Sequence, residues 1–206
     1  MTAQSESPMY LFGGSTSWHA QSWVVSDDRV RGGRSRSHLE CASACTSTSA
    51  SAHGSESEEG KAAVRFHGVL DTTALGGAGF ASQRSPPSPS RRWDLSSSHG
   101  LRLRIREADG MRYTLVVKDT VSAERVDGRL QSTVSWEYDF EGRAGELCVC
   151  WGDFGATYRG RPKPDAEPLD LADVRSVSIM VRSFFGQQEG PFNLELEHIA
   201  AFRSPE

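Results

Sequence analysis

The 206-residue sequence is poor in apolar residues and has no long hydrophobic run. Hydrophobic residues make up 37%, below the usual ~45–50% of soluble domains, so we expect part of the chain to form loops outside any core. No apolar run approaches the ~20 residues that cross a bilayer. The formal net charge is −4, so the sequence lacks the excess of basic residues that is typical of nucleic-acid binders. These absences disfavour a transmembrane protein and a nucleic-acid-binding protein.

Cysteine is also scarce. Cys41, Cys45, Cys148 and Cys150 are too few and too irregularly spaced for the disulfide framework of a small secreted protein, so we expect reduced thiols inside a cell. The C-x3-C and C-x-C spacings differ from those of structural zinc sites. Cys148 and Cys150 share one face of a predicted strand and are expected to be buried as small hydrophobic side chains. No metal or other cofactor is expected.

Motifs of catalysis are missing as well. Serine is abundant, but no G-x-S-x-G motif occurs, and the six histidines have no metal-ligand spacing. The run from Gly76 to Ser82 resembles a dinucleotide-binding fingerprint only superficially, because Ser82 stands at the third glycine position and no helix pattern follows. We interpret this run as a close-packed turn into a strand that carries Phe80. The motifs therefore do not support a metalloenzyme, a dinucleotide-dependent enzyme or a triad hydrolase.

What the sequence does contain is alternation with a period of two residues. Leu101, Leu103 and Ile105 alternate with arginines, which predicts a half-buried strand. Asp109-Gly110 then predicts a tight turn and a hairpin to the next strand at 112–118. Long helical periodicity is absent, so we expect an all-β sandwich of two antiparallel sheets. Further strands are predicted at 64–70, 132–140, 146–151, 176–182 and 192–199.

The domain organisation is expected to be simple. We interpret residues 1–206 as a single domain whose core covers about residues 18–202. Two small, polar or proline-rich stretches, 42–61 and 85–90, are predicted loop insertions, since neither buries enough apolar surface to offset the entropy of ordering it.

An aromatic stripe on one predicted strand has two interpretations. Val134, Trp136, Tyr138 and Phe140 share one strand face, as the core of a sandwich requires. The same stripe is typical of a stacking platform for sugars. The core interpretation is favoured; in a carbohydrate-binding module, the contacts to glycan would come from Tyr113, Trp136 and Tyr138.

The loops carry a second group of candidate residues. Asp27-Asp28, and Asp119 after the second strand of the predicted hairpin, could ligate calcium or serve as a carboxylate pair. For Asp27-Asp28, capping of loop amides is favoured because a Gly-Gly turn follows. Arginines crowd the same loop, and Arg159 and Arg161 crowd another. Arginine-rich loops are usually solvated faces, and they also suit an acidic partner.

Five segments in sequence order resemble the NADH:ubiquinone oxidoreductase (complex I) intermediate-associated protein family, across about Trp23 to Ala201. The segments are SDDRVRGGRSRS (26–37), GGAGFASQR (76–84), DGMRYTLVVKD (109–119), DFGATYRGR (153–161) and QQEGPFNLELEHIAA (187–201). Two departures are Arg31, where the family usually has an apolar residue, and the low-complexity insertion at 42–61.

The resemblance implies a galactose-binding-domain-like jelly roll that is not an enzyme but a non-enzymatic assembly factor, or chaperone, for complex I. Its partners would be complex I subunits, assembly intermediates and other assembly factors, and its location the matrix side of mitochondria. The cytoplasm is the alternative location, because no Lys or Arg precedes Arg29 whereas presequences are arginine-rich. A carbohydrate-binding module or a cytoplasmic binding protein of the same fold is the alternative function. Partner contacts are expected at Asp27, Asp28, Arg31, Gly32, Gly33, Ser35, Arg84, Tyr158, Arg159 and Arg161.

Overall fold

The chain forms a sandwich of two antiparallel sheets in a computed structural model that describes residues 8–42, 63–86, 92–121, 123 and 131–203. The all-β sandwich predicted from the alternation is confirmed. Residues 43–62 and 87–91, which contain most of the two predicted loop insertions, lie outside the described residues.

The described elements are strands and short 3-10 helices. The 3-10 helices are Ala20–Ser22, Asp28–Arg31, Trp151–Asp153 and Leu171–Asp173. In chain order, the strands are β1 (Met9–Gly13), β2 (Val24–Asp27), β3 (Arg36–Ala42), β4 (Ala63–Leu70), β5 (Phe80–Arg84), β6 (Gly100–Ala108), β7 (Arg112–Lys118), β8 (Ser135–Glu141), β9 (Gly145–Cys150), β10 (Gly155–Tyr158), β11 (Arg161–Pro162), β12 (Ser176–Arg182) and β13 (Gly190–Phe202).

Pairing partners are mostly distant in sequence. The six-stranded sheet has the order β3-β4-β13-β6-β9, and β1 pairs with the second half of β13. The seven-stranded sheet has the order β11-β10-β8-β7-β12-β5-β2. Neighbouring strands in this second sheet therefore come from both halves of the chain.

The core lies between the two sheets and follows the predicted alternation. Leu101, Leu103 and Ile105 of β6 are buried, as expected, and they belong to the same core cluster as Leu115 and Val117 of β7 in the other sheet. Complete burial of each such side chain contributes roughly 1.5–3 kcal/mol to stability. The core also extends toward the N-terminus beyond residue 18, because Leu11 and Phe12 of β1 are buried.

The predicted hairpin at Asp109-Gly110 is wrong. β6 and β7 are consecutive in sequence but belong to different sheets, so they exchange no ladder hydrogen bonds. The Asp109 carboxylate accepts hydrogen bonds from the backbone N–H groups of Met111 and Asn193, at 2.9 and 2.6 Å. The turn therefore leads the chain across the edge of the sandwich, so that the apolar faces of both strands meet in the core.

The expected burial of Cys148 and Cys150 is also wrong. Both residues share a face of β9, as predicted, but that face points outward, and the two thiols are exposed and free. The inward face of the same strand carries Val149, which is completely buried. The alternation placed the cysteines together correctly but did not reveal which face would meet the core.

Candidate functional site

The loop between β2 and β3, which we call the first loop, is organised by a buried carboxylate. Asp28 is completely buried and accepts hydrogen bonds from the backbone N–H of Ser35 at 3.0 Å, the Ser35 hydroxyl at 2.6 Å and the backbone N–H of Phe80 at 3.1 Å. A Cβ atom at Gly33 would lie 2.2 Å from Asp28 Oδ1, so the chain needs glycine there. Asp28, Gly33 and Ser35 thus hold the loop against the starts of β3 and β5.

Asp27 performs a similar task beside it. Its side chain is 4% exposed and accepts hydrogen bonds from the backbone N–H of Arg29 at 3.1 Å and from the Arg29 guanidinium. This carboxylate caps the 3-10 helix Asp28–Arg31, and the hydrogen bond raises the pKa of Arg29. The favoured interpretation of Asp27-Asp28, the capping of loop amides, is confirmed by these contacts.

Two further loops, the turn before β5 and the loop between β12 and β13, lie at the same end of the seven-stranded sheet as the first loop. The glycine-rich turn before β5 is tied to the end of β12, because Ser183 donates its backbone N–H to the Gly79 carbonyl and its hydroxyl to the Gly77 carbonyl, at 2.9 and 2.8 Å. The predicted turn into a strand carrying Phe80 is therefore confirmed. Through Phe80 and Asp28 the same turn is tied to the first loop.

The loop between β12 and β13 presents an aromatic ring to solvent. Phe185 is 93% exposed, and both Phe184 and Phe185 have positive φ angles, 46° and 60°, which residues other than glycine rarely adopt. Such conformations cost on the order of 1–3 kcal/mol each and persist only where surrounding contacts impose them.

Those contacts are visible around Phe184. The Arg112 guanidinium carbon lies 3.6 Å from the centre of the Phe184 ring, and that of Arg182 lies at 4.8 Å. Gln188 donates its side-chain amide to the carbonyl oxygens of Arg112 and Arg182, both at 2.7 Å. The loop is thus a rigid frame that holds the Phe185 ring in water.

We call this end of the sheet the three-loop surface, defined by Val30, Arg31, Gly32, Gly77 and Phe185. Val30 is 71% exposed, and Arg31 and Gly32 are exposed beside it. Val30 and Phe185 are the two most exposed large apolar side chains in the described part of the chain. Partner contacts at Arg31 and Gly32 stay a prediction from the sequence, which did not single out Val30 or Phe185, since exposure of an apolar loop residue has no sequence signature.

The other predicted contact residues lie elsewhere. Tyr158, Arg159 and Arg161 are exposed on the β10–β11 turn, at the opposite edge of the sheet from β2, five strand spacings or about 24 Å away. The register also places this turn at the opposite end, because Thr157 pairs with Ser135 at the start of β8. The structure therefore does not bring these three residues together with the three-loop surface.

Arg84 occupies a third position, at the end of β5 that lies away from the three-loop surface. Its partner residue on β12 is Ser178, and both side chains point to the outer face of the seven-stranded sheet. Burial lowers the pKa of the Arg84 guanidinium.

The three aromatic residues considered for glycan contacts face inward. Tyr113 is completely buried, and its hydroxyl donates to Asp109 Oδ1 at 2.9 Å. Burial, reinforced by the charge of Asp109, raises the pKa of Tyr113 far above its ordinary value. Trp136 and Tyr138 pack against the core from β8, as the favoured interpretation of the aromatic stripe predicts.

Metal-ligand clusters and membrane-spanning helices are both absent from the described residues. Within them, no group of three or more histidine, cysteine, aspartate or glutamate side chains is placed to hold a metal ion. None of the described helices has the length and apolar character needed to cross a membrane.

Comparison with known proteins adds a family and a fold. The model of the family described as Complex I intermediate-associated protein 30 matches residues 10–196. An uncharacterized protein of Schizosaccharomyces pombe is 36% identical over 197 residues, which cover 94% of this chain and 83% of that protein.

Similar solved structures come from Clostridium thermocellum. The family 11 carbohydrate-binding module of its cellulosomal cellulase Lic26A-Cel5E aligns with a TM-score of 0.60 at 13% identity, covering 97% of this chain and 96% of the module. A structure of the family 11 module with a β-1,3-1,4-mixed-linked tetrasaccharide aligns with a TM-score of 0.54 at 15% identity, covering 90% and 91% of the two chains. At this identity the likeness shows the fold alone, the galactose-binding-domain-like jelly roll implied by the resemblance.

Proposed function

The chain belongs to the Complex I intermediate-associated protein 30 family, and on this premise we propose that it is a non-enzymatic assembly factor for respiratory complex I. In this proposal it acts as a chaperone on the matrix side of mitochondria. It binds exposed surface on a subunit or assembly intermediate of the complex and releases it when the next component joins.

The observation that supports this proposal most strongly is the position of Phe185. A 93% exposed aromatic ring contributes no packing to the core, and its left-handed backbone conformation is unfavourable by itself. Aromatic side chains are enriched among the residues that dominate the energetics of protein interfaces. The contacts around Phe184 fix the backbone beside the ring, so binding would order only the Phe185 side chain. We therefore assign Phe185 the role of anchor for the partner.

The rest of the three-loop surface suits the same task. Val30 adds a second exposed apolar side chain, and Arg31 adds a positive charge at the rim. Asp28 and Ser35 are completely buried and therefore support the loop from inside instead of touching a partner. Direct contacts of the partner are thus proposed at Val30, Arg31 and Phe185.

The predicted contacts at Tyr158, Arg159 and Arg161 stay a prediction. Since this group lies about 24 Å or more from the β2 edge of the sheet, a partner that touches both groups has to extend across the whole sheet. A compact partner would engage one group only.

The test is native-gel fractionation of mitochondria and cytosol from cells that carry a tagged copy, followed by mass spectrometry of the co-migrating proteins. The tagged wild type is compared with Phe185→Gly and with the control Val69→Ala, which shortens a 50% exposed side chain on the six-stranded sheet. We expect the wild type and the control to co-migrate with partly assembled complex I and Phe185→Gly to be lost from it.

Stability measurements separate loss of contact from loss of fold. Phe185→Gly removes an exposed ring and relieves a left-handed backbone, so its melting temperature should stay unchanged or rise by up to about 3 °C. A wild-type protein that migrates only as a free cytosolic species would refute the assembly role and favour the alternatives, a carbohydrate-binding or other binding protein of this fold. Full co-migration of Phe185→Gly would refute the role of this residue.

A further inference from the structure

The outer face of the seven-stranded sheet carries two basic side chains on either side of two serines. Arg84 of β5 pairs with Ser178, and Lys118 of β7 pairs with Ser176 on the strand between them. The two serines are 8% and 9% exposed, and their short side chains between the two longer basic ones would leave a shallow depression. From the strand spacing and the register, the Cα atoms of Arg84 and Lys118 are about 12 Å apart, within reach of two long side chains that converge on one ligand.

No described carboxylate forms an ion pair with Arg84. Its Nε atom is buried and makes no hydrogen bond within the described part of the chain. Burial lowers the pKa of Arg84, and it also lowers the pKa of Lys118, which the charge of Arg84 lowers further. The Lys118 ammonium donates to the Thr133 hydroxyl at 3.0 Å. Two like charges held together with an unsatisfied donor are unfavourable unless a group of opposite charge compensates them.

The acidic side chains nearby are already engaged. Glu137 accepts from Arg182 Nη1 at 2.8 Å and from the Thr157 hydroxyl at 2.7 Å. Asp139 accepts from Arg182 Nη2 at 2.6 Å and from the Thr114 hydroxyl at 2.7 Å. Glu137 and then Asp119, which accepts from the Asp170 backbone N–H at 3.0 Å, raise the pKa of Lys118, each by less than burial or Arg84 lowers it. Among the described side chains, the depression therefore keeps an excess of positive charge.

We propose that Arg84, Lys118, Ser176 and Ser178 bind the oxyanion of a small molecule, a carboxylate or a phosphate group. A guanidinium presents a planar set of donors that matches both groups, an ammonium adds a second charge, and hydroxyl groups complete the donor set. This site is independent of the three-loop surface, which lies at the other end of β5. Its ligand would neutralise the depression and stabilise the sheet.

The site is tested by isothermal titration calorimetry of the full chain with two probes, sodium phosphate and sodium malonate, at constant ionic strength. We expect saturable binding of at least one probe at one site, with a Kd of about 1 mM or below. Binding of phosphate alone identifies a phosphate ligand, binding of malonate alone identifies a carboxylate ligand, and binding of both shows a site for either oxyanion. Absence of saturable binding of both probes overturns the proposal.

Variants locate the binding. Arg84→Met and Lys118→Met should each weaken binding at least about tenfold, whereas Arg104→Met, which removes an exposed arginine of the six-stranded sheet, should leave it unchanged. Equal binding by Arg84→Met and the wild type overturns the site. If Arg84→Met fails to fold, Lys118→Met supplies the same comparison.

The unliganded variants give a second readout. Because no described carboxylate pairs with the Arg84 cation, Arg84→Met should melt at the same temperature as the wild type or about 2–4 °C higher. A melting temperature several degrees lower would show that Arg84 stabilises the fold and would overturn its role as a ligand-binding residue. The bound anion should also raise the pKa of Lys118, followed by NMR of reductively methylated lysines, with Lys61 and Lys163 as internal controls.

Discussion

Replacement of Asp28 by alanine separates a structural role of the first loop from a binding role. The buried Asp28 carboxylate accepts three hydrogen bonds, from the backbone N–H groups of Ser35 and Phe80 and from the Ser35 hydroxyl. If it supports the loop, its loss must destabilise the whole sandwich. If it contacts a partner, its loss must weaken association instead.

The magnitude follows from what the variant leaves behind. In Asp28→Ala the Ser35 hydroxyl can still donate to the Asp71 carbonyl, 3.2 Å away. The N–H groups of Ser35 and Phe80 lose their acceptor in a buried site, and each unsatisfied donor costs about 1–3 kcal/mol. We therefore expect a loss of about 3 kcal/mol or more in the free energy of unfolding.

Asp27→Ala is the matched control, one residue away. Asp27 caps a 3-10 helix and pairs with Arg29, whose side chain is 49% exposed, so its removal should cost only about 1 kcal/mol. Urea denaturation measures both values by linear extrapolation. At about 2–4 °C per kcal/mol for a domain of this size, the melting temperature should fall by about 6–12 °C and 2–4 °C, respectively. An Asp28→Ala variant no less stable than Asp27→Ala would refute the reasoning.

Two further predictions concern ionisation. Hydrogen bonds from Ser96 lower the pKa of Asp94 below its ordinary value of 3.8. Their stabilising effect is therefore complete above that value and is lost as the pH falls through the lower folded-state pKa. Thermal melts across the pH range should show that Ser96→Ala is less stable than the wild type at pH 6 and equally stable in strong acid. Burial, and then the charge of Glu146, raise the pKa of the Cys148 thiol. Cys148 should therefore react with iodoacetamide at pH 7.5 more slowly than a free cysteine standard, and it should react faster in Glu146→Gln than in the wild type. Peptide mass spectrometry measures these rates, and an unchanged rate in Glu146→Gln would contradict the effect of the Glu146 charge.

Local patterns predicted strands and loop caps well. The alternation in β6 identified its buried face, because successive side chains of a strand point to opposite sides whatever the strand pairs with. The Asp27-Asp28 pair before a Gly-Gly turn predicted amide capping for a similar reason, since the acceptors and the nearest donors lie within a few residues. The family resemblance supplied the jelly roll, which the alternation alone did not distinguish from other sandwiches.

The pairing between strands was harder to predict from the sequence than the strands themselves. Asp109-Gly110 has the chemistry of a hairpin turn, but β6 and β7 lie in different sheets, and β13, at the C-terminal end of the described chain, pairs with β1, β4 and β6, which all lie far before it in the sequence. The cysteines of β9 show the same limit. Alternation assigns residues to two faces, but only the assembled sandwich determines which face is covered.

The sequence by itself determined the elements of this protein: the strands, their two faces, the capped loop at Asp28 and the family. These depend on residues that lie close together in the chain. The tertiary structure decided which distant residues meet. It placed Phe185 in water on a rigid frame, set Arg84 opposite Lys118 across two serines, and separated Arg159 from the first loop by most of the width of a sheet. Exposure and the compensation of charge depend on contacts between segments that the chain connects only through the complete fold.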